Sequence, residues 1–349
     1  MPVNNTISPV LSIVMPIFNN AELAIKMIAS IRNNDFDEWE LLAVDDGSDD
    51  ENFKSVEAYC KSDSRIHYAR RNELPKGAQT CRNIGLKSAR GKYIIFFDSD
   101  DYVTPFCLGR RVCALKERTE LDFLVFPSGV VQNDVFSDDA NEFAYGYKIF
   151  EDDLDAFARR VLPFVVWNNI YRTDALRKNG ILWDVNLRSL QDADFNVQTL
   201  LSGMKYDYFA GPADIGYRID ASSGSVSKKA TSVEHRKSII YAVDKFYRLY
   251  TGRFDNKYSN ALYHGVLFLY NWILSDGLIL ELADGMCDVM AKYSKFYAWV
   301  FRFQIVSTKF IQLLIPKKRA RQIPMALHLI DNRKRIQNKQ IAIKNIIQK

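Results

Sequence analysis

Over the first hundred residues the apolar positions alternate between two patterns. LSIVMPIF (11–18) is a short apolar run containing β-branched residues, and ELAIKMIASIRNN (22–34) repeats its apolar positions at helical spacing. WELLAVDD (39–46) is the next strand signal, ending in acids and a Gly-Ser turn. A helical stretch around Phe53 to Cys60 follows, then IHYAR (66–70), the helical AQTCRNIGLKSAR (78–90) and the strand KYIIFFDSDD (92–101). Such βα repeats predict an α/β fold, a mostly parallel sheet with helices on both faces, and strands apolar throughout, such as YIIFF, are what a doubly covered sheet requires. Ligands of these sheets bind beyond the C-terminal strand ends. The polar clusters stand there: Asn19 after the first strand, Asp45 and Asp46 after the second, Asp98 to Asp101 after the fourth.

Farther along, DFLVFPSGVV (122–131) reads as one more strand, and Gln132 to Asp155 as a loop or insertion. Trp167 to Gly203 reads as loop and helix, with short strands at YDYFA (206–210) and IGYRI (215–219). SSGSVSKK (222–229) has the composition of a flexible loop. Beyond about residue 233 the pattern changes to long amphipathic helices rich in Tyr and Phe. The expected division is therefore 1–232 for an α/β domain and 233–349 for a helical region with a basic tail.

Composition narrows this picture. The 349 residues are 48% hydrophobic and 13% aromatic, a globular composition. The net charge of +5 is concentrated: Pro316 to Lys349 holds ten Lys or Arg against the single acid Asp331, a net of +9 that leaves about −4 elsewhere. Cys60, Cys81, Cys107, Cys113 and Cys287 are odd in number and lack CxxC spacing, which predicts reduced thiols in a cytoplasmic protein. The first residues lack the features of a signal peptide, and the most apolar window, 261–282, is broken by Asp276 and Gly277, so no membrane span is expected.

The acids of DSDD (98–101) repel one another unless a cation or hydrogen-bond donors offset them. Hard cations such as Mg²⁺ and Mn²⁺ take oxygen ligands and share their shell between one or two carboxylates and substrate phosphates. A solvated acidic turn is the competing explanation, and position at a strand's C-terminal end favours the metal. In VDDGSDD (44–50), Ser48 or Asp49 can cap a helix with Asp49 and Asp50 at its start, whereas Asp45 and Asp46 sit at the strand end facing the crevice. The four histidines, His67, His235, His264 and His328, lack ligand spacing.

SIVMPIFN (12–19), VDDGSDD (44–50), KGAQTCRNIGLKSARGKYIIFFDSDD (76–101), WNNIYRTDAL (167–176), LQDADFNVQTLLSG (190–203) and YRIDASSGSVS (217–227) together resemble the family-two glycosyltransferases, in order, from about residue 10 to 230. The resemblance implies a GT-A fold, a Rossmann-like, mostly parallel sheet flanked by helices, here with a C-terminal helical region. It also implies inverting transfer from a nucleoside diphosphate sugar, a UDP-sugar being the expected donor. Pro16 and Phe18 are expected in a loop similar to the nucleotide-binding turn, although the family more often has Tyr where Phe18 stands. Asp46 matches the acid at the nucleotide base, and Arg82 the arginine facing nucleotide or diphosphate. Asp98 and Asp100 match the DxD motif, with Asp100 on the Mn²⁺ or Mg²⁺ and Asp98 on ribose or a metal-bound water. Asp192 matches the general base, while Gln191 replaces the usual Glu. Asp194 is the neighbouring candidate for the base, with helix-dipole stabilisation as its alternative role. Tyr217, Arg218 and Gly224 to Ser227 resemble the loop that closes over donor and acceptor. Lys228 and Lys229 there either reach a diphosphate or form a solvated basic turn. Asp101 is expected to orient the turn toward Thr104 and Pro105.

The chain carries neither the Q-x-x-R-W motif of the family's processive synthases nor spanning helices, which implies non-processive transfer. The expected acceptor is a glycan or a lipid-linked glycan. FYAWVFRFQIVSTKFIQLLIPKKRAR (296–321) suggests peripheral contact with the anionic inner face of the membrane, or else a core helix followed by a solvated charge run. Two other readings compete. A HAD-like phosphatase places its DxD strand near the N-terminus with Gly where Asp101 stands, and here three βα units come first. An inactive sugar-nucleotide-binding module need not keep Asp192. A dehydrogenase is disfavoured because no GxGxxG follows the first strand.

Overall fold

The computed structural model describes residues 8–139, 143–219, 232–273, 280–314 and 326–348. The expected loop at 222–229, the break at Asp276 and Gly277, and part of the basic tail lie outside them. The first units are β1 (Leu11–Ile17), α1 (Ala21–Arg32), β2 (Trp39–Asp45), α2 (Asp50–Cys60), β3 (Ile66–Arg70), α3 (Ala78–Ser88) and β4 (Tyr93–Phe96). Then come β5 (Tyr102–Val103), α4 (Cys107–Glu117), β6 (Phe123–Val125), β7 (Ser128–Gln132), β8 (Val135–Ser137), α5 (Asp153–Ala158), β9 (Asn169–Arg172), α6 (Thr173–Lys178), α7 (Gln191–Leu201), β10 (Tyr206–Tyr208) and β11 (Ile215–Arg218). Helices α8 (Val233–Phe254), α9 (Ser259–Ile273), α10 (Leu280–Tyr293), α11 (Lys295–Leu314) and α12 (Ala326–Ile347) complete the chain.

The main sheet has seven strands in the order β10-β6-β9-β4-β1-β2-β3. All neighbours are parallel except β9, which runs antiparallel between β4 and β6. Side-chain alternation divides the core in two. Leu11, Ile13 and Met15 of β1 with Tyr93 and Ile95 of β4 face one apolar cluster, and Val14, Ile94 and Phe96 face the other. The second cluster also takes in Phe246, Tyr250, Leu267, Met286 and Phe301, so helices α8 to α11 cover the same sheet face rather than enclosing a separate core. None of the described helices is long and apolar enough to cross a membrane, and all five cysteines are unpaired.

Three expectations are corrected. The strand at 122–131 is two, because Pro127 cannot donate to a ladder. β6 stays in the main sheet, and β7 enters a second, four-stranded sheet of order β5-β11-β7-β8. β8 lies within the expected loop 132–155, and β9 within the stretch read as loop and helix.

The position of the crevice follows from strand order. The chain proceeds from β1 to β2 and β3 on one side and then returns to place β4 on the other, so β1 and β4 flank a topological switch point. Their pairing ends at Val14 opposite Phe96, while β1 continues to Ile17. Pro16 is therefore inside β1, not in the loop, at a position beyond the β4 ladder where its missing N–H leaves no partner unmet. Helix α3 crosses β1 closely enough that a Cβ at Gly85 would stand 2.3 Å from Cγ1 of Val14. Gly85→Ala is expected to cost about 1–3 kcal/mol through overpacking. Chemical denaturation measures this, and an unchanged midpoint would contradict the close packing.

Candidate active site

After β2 the chain turns on Asp45. Its Oδ2 accepts the Gly47 and Ser48 N–H groups at 2.9 and 3.0 Å, and its Oδ1 accepts the Tyr68 hydroxyl at 3.3 Å. Gly47 has φ +87°, a conformation glycine adopts without strain. Asp45 is thus a fully buried brace for the turn, and of the pair expected at the crevice only Asp46 is left as a candidate for ligand contact. Oδ1 of Asp46 accepts from Arg71 Nε at 2.6 Å and from the Gly77 N–H at 2.9 Å. Asp49 caps α2, accepting the Asn52 N–H at 2.9 Å. Past β1, Asn19 adopts φ +46° and joins this turn: its N–H donates to the Ser48 hydroxyl and its Oδ1 accepts from the Asp49 N–H, both at 2.9 Å. Phe18 beside it is exposed, with Lys76 Nζ 3.6 Å from its ring centre.

The DxD loop and α7 are joined by one side chain. Arg82, buried on α3, donates through one terminal nitrogen to Oδ1 of Asp98 and through the other to Oε1 of Gln191 at 3.1 Å. Its guanidinium lies 4.4 Å from the Trp183 ring centre, and Trp183 stacks on Phe195. Asn83 fixes Trp183 through two 2.9 Å bonds to its backbone. Burial disfavours the guanidinium charge, but the charges of Asp98 and Asp192 outweigh it and raise the Arg82 pKa. Gln191, which stands where the family has Glu, therefore meets the arginine as a neutral acceptor and leaves its charge to the two aspartates.

Asp192 lies in the first turn of α7, two residues after Leu190, a non-glycine residue held at φ +64° as the helix cap. Such a conformation costs of order 1 kcal/mol and fixes how the helix enters the site. Burial raises the Asp192 carboxyl to about 6; Arg82 opposes the shift and Asp98 adds to it. Asp194 points elsewhere. It is buried, pairs with Lys245 of α8 at 2.8 Å and accepts from Gln198 at 2.8 Å, so it anchors α7 to the helical region.

In the DxD loop, burial raises Asp100 to about 6, with the charge of Asp98 adding to the shift. Asp101 is raised well above the carboxylate range by burial and by its two neighbours. Asp101 stands directly before β5, but Thr104 beyond it bonds the Asp214 carbonyl through its N–H and hydroxyl. Asp101 instead accepts the Arg218 N–H, and its Oδ2 is buried without a partner among the described residues. Arg218 in turn donates to the Asp100 carbonyl at 3.1 Å and to Asp134 at 2.7 Å, tying β11 to the acidic loop. Trp183, Arg71 and Lys245 were not singled out in the sequence. No motif marks them, and the one signal for them is that a buried carboxylate needs a partner.

The structure therefore brings Asp98, Asp100, Asp192 and Arg82 to one crevice, with Asp46, Pro16 and Phe18 along its β1–β2 side. Residues 12–180 match the sequence profile of glycosyl transferase family 2. The chain is 28% identical over 194 residues to an uncharacterized glycosyltransferase, EpsJ, of Bacillus subtilis, covering 54% of this chain and 55% of that one. It is 31% identical over 189 residues to a putative colanic acid biosynthesis glycosyl transferase, WcaA, of Escherichia coli, covering 54% and 64%. Under two thirds of either relative is thus spanned. In three dimensions it superposes on residues 1–349 of Staphylococcus aureus TarS in complex with UDP-GlcNAc, with a TM-score of 0.64 at 18% identity over 97% of this chain and 91% of that one. Residues 12–180 thus match glycosyl transferase family 2, and the fold that carries them is GT-A.

Proposed function

We propose that the protein transfers single sugars, with inversion, from a nucleoside diphosphate sugar, in our reading a UDP-sugar, to a hydroxyl of a glycan or lipid-linked glycan in the synthesis of a bacterial surface polysaccharide. The observation that carries this reading is Arg82, which holds the DxD acid Asp98 and the start of α7, where Asp192 stands, in one bonded unit. Residues 1–232 are taken as the transferase unit and 233–349 as a helical region that steadies α7 through Lys245.

Asp98 and Asp100 are suited to a Mn²⁺ or Mg²⁺ ion. Their donors are carboxylate oxygens, the choice of a hard cation. The raised Asp100 marks negative charge the protein leaves unanswered, and beside it the buried Oδ2 of Asp101 has no partner among the described residues. Among the described residues no group of three acidic, His or Cys side chains is placed to hold a metal alone, which suits a shell completed by diphosphate oxygens. When bound, such an ion supplies Lewis-acid stabilisation to the departing diphosphate.

The chain's own residues do the rest. Pro16 and Phe18 line the nucleotide side, where Asp46 holds the β2 turn against Gly77 and presents Oδ2 to the base. Arg82 fixes Asp98 so that its other oxygen faces ribose or the ion. Asp192 takes the acceptor hydroxyl's proton as that oxygen bonds to the anomeric carbon and the carbon–oxygen bond to the diphosphate breaks on the opposite face, a displacement that inverts the anomeric centre.

A base must be ionised to act, so with donor and cation saturating, turnover should fall as pH drops through about 6, the value to which Asp192 is raised. A profile flat from pH 5 to 8 would contradict this assignment. Screening nucleoside diphosphate release across nucleotide sugars with Mn²⁺ or Mg²⁺ tests the reading itself. Turnover of at least one donor is expected, whereas cleavage of a generic phosphate ester with every nucleotide sugar intact would overturn it.

A further inference from the structure

Helix α11 is apolar on two opposite sides. Ala298, Phe301, Ile305 and Thr308 are buried. Phe296, Trp299, Phe303, Val306 and Phe310 are between 59% and 66% exposed and recur every three or four residues, so they line a single outward face, with Trp299 and Phe303 stacked. Lys295, Arg302 and Lys309, all exposed, recur every seven residues and form a line of cations along the same helix, which contains no acid. The sequence from Pro316 adds ten Lys or Arg against one acid. Exposed acids do occur on α10, at Glu281, Asp284 and Asp288, so the positive field belongs to α11 and the tail rather than to the whole helical region.

We propose that the outward face of α11 lies on an anionic lipid bilayer, its aromatic residues at the boundary of acyl chains and headgroups and its cations among the headgroups. Exposed apolar stripes of this extent are unusual on a free surface. Bulky aromatics beside Lys and Arg are the composition of a helix lying in a membrane interface. The helix rests on the membrane rather than spanning it, since it does not have the apolar length to cross. Three- and four-residue spacing also suits a coiled-coil seam, but a second copy of α11 would set like charges together with no acid on either helix to answer them. The proposal does not depend on the sugar-transfer reading.

Vesicle flotation of the full chain tests it, using phosphatidylcholine alone and phosphatidylcholine mixed with phosphatidylglycerol. The wild type should float with the mixed vesicles and be released by high salt. Trp299→Ser/Phe303→Ser/Phe310→Ser should float about tenfold less, and Lys295→Gln/Lys309→Gln should bind more weakly at low salt. These positions are exposed, so the unfolding midpoint should hold. If the triple variant does not fold, Trp299→Ser alone reads the same face by quenching from brominated lipid, expected in the wild type and reduced in the variant. Flotation of the triple variant equal to wild type, unchanged quenching in Trp299→Ser, or a wild type that stays with the unbound fraction would overturn the proposal. So would a wild-type dimer that the triple variant converts to monomer without either binding vesicles, which would assign the face to a second copy.

Discussion

Asp192→Asn should lower turnover by about 10²–10⁴-fold, the usual worth of a general base, while donor affinity stays close to wild type. Asparagine keeps the side chain's size and its place in the first turn of α7, so folding should be unaffected. What is lost is the carboxylate, raised to about 6 by burial beside Asp98 and restrained by Arg82, that would accept the acceptor's proton. The comparison that sharpens the test is Asp194→Asn. Asp194 is buried against Lys245, and removing its charge leaves a buried ammonium short of one partner. That variant should unfold at lower denaturant yet retain chemistry in proportion to the folded fraction. Loss of turnover in Asp194→Asn with full turnover in Asp192→Asn would reverse the assignment.

Asp100→Ala is expected to lower kcat/KM by about a hundredfold or more and to abolish the response of donor binding to Mn²⁺ or Mg²⁺, because the cation's contribution is worth several kcal/mol. Stability should move the other way. The folded protein holds the Asp100 proton more tightly than the unfolded chain does, since burial and Asp98 raise its carboxyl to about 6. Its contribution to stability is therefore present at low pH and lost as pH rises through about 6, so above that pH the ionised carboxylate opposes folding. Asp100→Ala should leave the melting temperature at pH 7.5 unchanged or raised while activity falls. A large drop in melting temperature would mean that the carboxylate is held by protein contacts rather than kept for a ligand.

Much of the frame was legible because strand and helix periods are local. β1 to β4 and the helices between them follow the apolar pattern closely, and a strand end followed by acids marked the crevice. The second sheet was not legible: β5 has two residues and β8 three, too short for alternation to register. β9 begins with Asn169, whose amide bonds the Tyr171 hydroxyl and Asn196, so a polar sequence is buried where pattern alone predicts a loop. At the site, motif order supplied the acids but not their partners. The link from Arg82 to Gln191 spans 109 residues and that from Asp194 to Lys245 spans 51, and no local signal encodes either. Those two contacts set Asp192, the proposed base, apart from Asp194, which holds α7 in place. They also turn Gln191 from an apparent defect in the motif into the neutral acceptor that orients Arg82.

The proposed reaction is displacement at the anomeric carbon, with the diphosphate leaving on the Asp98–Asp100 side and the proton taken on the Asp192 side. Proton NMR of the first-formed product, read from the anomeric coupling while the nucleoside diphosphate sugar is consumed, tests it most directly. The anomer opposite to that of the donor is expected. A product with the donor's own configuration would contradict it.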